Sequence, residues 1–157
     1  VASARKVELD CEASFGVAAK RAVKVRAKEV FKQADGVLDL EEVEHVHDMR
    51  VATRRLRAAL EVFEDCFPRK RHRKALKRVK ALADALGERR DADVEIELLE
   101  GLGEKIAAAD RKALEALIET LRARQQQANE ELAAYVTAKR LKKLRRRLAK
   151  LARAAKR

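Results

Sequence analysis

The chain has 157 residues, of which 47% are hydrophobic, 41% charged and only 3% aromatic, with a single proline. That length suits one domain with a real core, and a composition dominated by Ala, Leu, Glu, Lys and Arg gives no strand signal and points to an all-α, antiparallel helical bundle. The net charge of +12 is uneven: residues 139–157 hold eleven bases and no acid, leaving 27 bases against 26 acids elsewhere, so placement says more about partners than the total does.

Cys11 and Cys66 make neither a secreted-type disulfide framework nor a CxxC pair and read as reduced thiols of a cytoplasmic protein. No apolar run approaches the length of a membrane span, and the N-terminus lacks a signal-peptide pattern. The absence of an initiator Met suggests a trimmed or excised chain.

Residues 1–13 carry little pattern and read as an N-terminal extension. A helical bundle is expected over 14–138 and a basic amphipathic helix over 139–157. The first helix is expected from about Ser14 to Ala34, with Phe15, Ala19, Ala22, Val23 and Val30 on one stripe and Gly36 as its stop. Lys20, Lys24, Lys28 and Lys32 form an i, i+4 row on its far side, best explained as a solvated face, and Arg26 falls inside the apolar stripe. Asp39 is a candidate N-cap for the second helix, with Glu41, Glu42 and Glu44 suited to the positive end of its dipole, and Pro68 bounds that helix.

The second helix carries the stretch His47-Asp48-Met49-Arg50-Val51-Ala52-Thr53-Arg54-Arg55-Leu56-Arg57. At 100° per residue His47, Arg50, Arg54 and Arg57 share one face, roughly 15 Å long, opposite a stripe of Met49, Ala52, Leu56, Ala59, Leu60 and Phe63. A ladder of that length suits an extended polyanion better than one phosphate, and few acids stand near to neutralise it. Arg55 lies off the basic face, and His45 falls on the core side, so the two histidines do not form a metal pair and no metal site is expected. His47 is a hydrogen-bond donor to an anion, strengthened by protonation at lower pH.

A third helix is expected from about Arg69 to Leu86, ending at Gly87 and burying Leu76, Val79, Leu82, Ala83 and Leu86, with Arg73, Lys77 and Lys80 as a second basic ladder. Packed antiparallel across the turn at Pro68, the two ladders would flank one groove. A short helical stretch to about Leu102 should follow, broken at Gly101 and Gly103, in which Asp91 or Asp93 either caps the helix or holds Arg90. A long helix from about Asp110 to Val136 comes next. Thr137 then caps a last helix whose Leu141, Leu144, Leu148 and Leu151 repeat like a coiled-coil seam in need of a partner.

The His47–Arg57 stretch, followed by Leu82-Ala83-Asp84-Ala85-Leu86-Gly87-Glu88-Arg89-Arg90-Asp91-Ala92-Asp93-Val94, resembles the N-terminal half of a CHAD domain, the conserved histidine α-helical domain. The resemblance covers roughly residues 15–150. It implies an all-helical domain of two related four-helix halves that binds inorganic polyphosphate on basic residues, needs no cofactor and has no catalytic activity, in some members at polyphosphate granules. Carried across, the binding residues are His47, Arg50, Arg54, Arg57, Lys77, Lys80 and Arg90, with Arg55 matching the motif and Arg73 completing the third-helix ladder. The chain departs in length, since a second half with its own basic helix is absent; either this is an excised half, or a short member that restores the pair as a homodimer. Three other function classes compete, one of them a helical scaffold whose tail binds acidic membranes or partners, weakly on a membrane since its apolar face carries only Leu and Ala. Non-specific nucleic-acid binding by the basic tail lacks aromatics for base stacking. A phosphohydrolase would use Glu95-Ile96-Glu97, but Leu99 stands where a tunnel triphosphatase places Lys.

Overall fold

The computed structural model describes residues 3–156, and among them all regular structure is helical. In order these are α1 (Phe15–Lys32), α2 (Glu44–Val62), a 3-10 turn (Glu64–Cys66), α3 (Arg69–Gly103), α4 (Ala108–Ala133) and α5 (Ala138–Arg153). The helical bundle expected from composition is the fold.

Each boundary has a local cause. Ser14 caps α1 by accepting the Val17 N–H, and Thr137 caps α5 by accepting the Arg140 N–H. Asp39 does not cap α2, which starts at Glu44 without a side-chain cap. Its carboxylate instead accepts the N–H groups of Glu41 (2.9 Å) and Glu42 (3.3 Å), building the turn ahead of the helix. Those two bonds hold the Asp39 carboxyl below its ordinary value. Gly36 lies beyond the end of α1 at φ +77°, and a Cβ there would meet the His45 ring at 2.9 Å, so the position is reserved for glycine twice over. His45 is accordingly exposed over this turn; Val46 takes the core position assigned to it.

The largest departure is at Gly87, which by residue type marks a helix stop but lies inside a helix of 35 residues. The separate short helix after it does not exist; Gly101 also stays helical, and Asp91 and Asp93 have no helix start to cap. One interior glycine costs a helix only about 1 kcal/mol. Burial of Ala92 and Ile96 beyond it offsets that cost, and the Arg89–Asp93 pair with its bonds to Asn129 and Gln125 ties the continued helix to α4.

The course of α3 organises the rest. Its first half packs between α2 and α5, and its second half pairs with α4. Antiparallel pairing of α3 with α4 is fixed by Arg124 to Glu95 (3.0 Å), Gln125 to Asp93 (2.6 Å) and Arg89 to Asn129 (3.0 Å). After the break near residue 135, α5 continues beside the first half of α3, where Arg147 donates to the Lys74 carbonyl (3.4 Å). Thus α1, α2, the first half of α3 and α5 enclose the core, built on Val23, Val30, Met49, Leu56, Leu60, Val79, Leu82, Leu148 and Leu151. The α3–α4 hairpin extends past it as an arm.

The leucine seam of α5 finds its partner inside this bundle. Leu144, Leu148 and Leu151 are buried, Leu141 packs partly against the same core, and the Arg145 guanidinium sits 4.7 Å over the Phe31 ring of α1. The seam therefore supplies no reason for a second copy. Arg26, inside the α1 stripe, ion-pairs with buried Glu29 at 2.9 Å and donates to the Arg5 carbonyl, clamping the N-terminal segment onto α1. Among the described residues no helix is long and apolar enough to cross a membrane.

Candidate functional site

The basic face of α2 forms because its opposite face is claimed by the core: Val46, Met49, Ala52, Thr53, Leu56 and Leu60 are buried. Arg54 is exposed, while His47, Arg50, Arg55 and Arg57 are half-buried. No carboxylate pairs with Arg50 or Arg54 among the described residues. Arg55 is engaged within the protein.

The turn at Pro68 returns the chain so that α3 runs antiparallel to α2. At the near end the buried His72 ring donates from Nε2 to the Leu60 carbonyl (2.8 Å) and stacks on Phe67. At the far end Arg89 reaches the Asp39 carbonyl just ahead of α2 (3.2 Å). The two ladders therefore lie side by side with opposite polarity.

They meet on one carboxylate. Glu61 accepts from Arg57 Nε at 3.0 Å and lies 3.3 Å from Lys80 Nζ, so a residue of each ladder converges on the same oxygen. The hydrogen bond from Arg57, aided by Lys80, holds the Glu61 carboxyl below its ordinary value. Glu61 is the acid within reach of Arg57 that the helix spacing already offers at i+4.

Beyond that bridge the outer face of α3 carries an open groove of about 1140 Å³, lined by Arg73, Lys77 and Lys80 with Arg69, Lys70 and Lys74, and with Asp84 as its single acid. The α2 arginines are outside this lining. The shared surface is thus a groove on α3 continued sideways by the α2 ladder, rather than a slot walled by both. Arg69, Lys70 and Lys74 were legible in the sequence as the i−4, i−3 and i+1 neighbours of Arg73.

In the Glu88–Val94 motif the structural arginine is Arg89, not Arg90. Arg89 is 0% exposed; its Nε is 3.0 Å from Asp93 Oδ1, and its other nitrogens donate to Asn129 and to the Asp39 carbonyl. Burial pushes the Asp93 carboxyl up, opposed by the Gln125 hydrogen bond and the two arginines, and pushes the Arg89 guanidinium down. Asp93 thus holds Arg89, which fastens α4 and the α1–α2 turn to α3. Arg90, half-buried, keeps one buried Nη1 without a hydrogen-bond partner.

Chemically the surface offers guanidinium and ammonium donors along a track and is suited to holding phosphates in a row. Among the described residues no group of three or more His, Cys, Asp or Glu is placed to hold a metal ion. Compared with known proteins, residues 21–157 match the family model described as CHAD domain. No curated protein matches the chain.

Proposed function

This chain belongs to the CHAD-domain family, and from that premise we propose that it binds long-chain inorganic polyphosphate, without cleaving it, along the basic surface that α2 and α3 share. The observation that carries the reading is the convergence of Arg57 and Lys80 on Glu61, which joins two ladders into one track. Arg50 and Arg54 lie on one side of that junction, Arg73 and Lys77 on the other.

Polyphosphate carries its charge on a thin, flexible strand without bases. It can follow a surface that turns from one helix to the next, whereas a duplex presents its phosphates on a stiff cylinder. Arginine adds paired, parallel hydrogen bonds to each phosphate, so the α2 face contributes geometry as well as charge. His47 adds a ring N–H donor on the same helix face. The α3 groove holds one carboxylate, Asp84, amid cations, a composition for binding rather than for moving protons in a hydrolysis. A protein with this activity gathers where the polymer gathers, in cytoplasmic polyphosphate granules.

The test is competition at fixed ionic strength, with single-stranded DNA matched in phosphate number displacing labelled polyphosphate. Polyphosphate should resist displacement by at least about tenfold per phosphate, beyond the shared counterion-release effect. Equal displacement would reject the specific track, and orthophosphate release with added divalent metal would reject the non-catalytic reading.

A further inference from the structure

The eleven bases after residue 138 read, in sequence, as one basic amphipathic helix that carries nearly all the excess charge and whose packing partner is open. The fold makes α5 a fixed wall. Leu148 and Leu151 are 2% and 1% exposed, and Arg147 is tied to the Lys74 carbonyl of α3. Between α5 and α3 lies a second groove of about 1000 Å³, in which nine of the ten lining residues are Lys or Arg and none is acidic.

This groove is continuous with the first. Lys74 lines both, and a smaller depression lined by Lys74, Lys77, Arg78, Arg140 and Arg147 spans the ridge between them. Around the α3 axis, Lys80 and Lys74 stand about 120° apart, with Arg73 and Lys77 between them. Lys80 meets α2 through Glu61, and Lys74 meets α5 through Arg147. The cations therefore run from α2, around the outside of α3, and onto α5.

We propose that the α3–α5 groove is a second phosphate track, which takes the continuation of a polyphosphate strand already seated on the α2–α3 surface, so that one strand wraps the first half of α3. The inference rests on the reading above and adds a chain-length threshold to it. A short oligophosphate fills the first track alone. A long strand reaches the second as an intramolecular event, at the high effective concentration that tethering gives.

The experiment uses the full chain and two probes, inorganic tripolyphosphate and long-chain polyphosphate. One variant replaces Lys139, Lys143, Arg146 and Lys150, all exposed, with Gln; a charge-matched variant replaces Lys20, Lys24, Lys28 and Lys32 of α1. Gln keeps helix propensity, and circular dichroism confirms the fold of each. The α5 variant should bind tripolyphosphate as wild type does, lose about tenfold or more for the long chain, and show a salt-dependence slope shallower by about 3. The α1 variant should keep the long-chain affinity. Undiminished long-chain binding by the α5 variant, or equal losses in both variants, would overturn the second track while leaving the first. Wild type that binds neither probe would overturn the parent reading as well.

Discussion

Glu61→Gln should tighten polyphosphate binding, because the wild-type carboxylate occupies one cation from each ladder. For a single strand the logarithm of affinity changes by about 0.7 per decade of salt for each phosphate neutralised, so near 0.15 M salt each freed cation contributes a factor of roughly four. Two freed cations set an upper bound of roughly 14-fold, and one sets a lower bound of roughly fourfold, since Gln can still accept from Arg57. The stability cost is small: Glu61 is 43% exposed and its partners similarly so, which places the bridge at about 1 kcal/mol or less. The sign of its pH dependence follows from the lowered carboxyl. Its contribution is complete above the ordinary Glu value of 4.5 and is lost as pH falls through the depressed folded value, so wild type and variant should converge in stability on acidification. Titration calorimetry at fixed salt reads the affinity. Unchanged or weaker binding by the variant would refute the claim that Arg57 and Lys80 belong to one track.

Three stability predictions test the frame that holds the track. Arg89→Met strands Asp93 without its buried partner and should cost about 3–5 kcal/mol in denaturant unfolding, whereas Arg89→Met with Asp93→Leu should recover most of the loss. Leu148→Ala should cost about 2–5 kcal/mol if α5 is part of the core; an effect below about 0.5 kcal/mol would mean α5 is an appended tail. Gly36→Ala should cost about 1–2 kcal/mol from its left-handed backbone, measured by thermal melting, with added displacement of the His45 ring.

The periodicity of apolar residues was enough to find α1, α2 and α5 and the buried stripe of α2, because a helix that packs on one side repeats its core contacts every three to four residues. It could not find the length of α3. Past Gly87 the buried side of that helix turns from α2 towards α4 and is occupied by Arg89 and Asp93, charges that cancel only in three dimensions. Arg89 and Arg90 are adjacent in sequence and equally able to pair with an aspartate there, so only packing distinguishes the buried one. The basic ladders were visible as helix faces; their junction at Glu61 and the wall formed by α5 depend on which helices become neighbours. The partner of the leucine seam was equally hidden, since a stripe reads the same whether it meets a second copy or the chain's own α1 and α3.

A crystal structure of the chain with bound long-chain polyphosphate tests the central claim most directly. Ordered phosphates should lie within hydrogen-bond reach of Arg50 and Arg54 on α2 and of Arg73 and Lys77 on α3, whether or not the strand continues to α5. Phosphates confined to α5, with the α2 and α3 positions empty, would contradict the account.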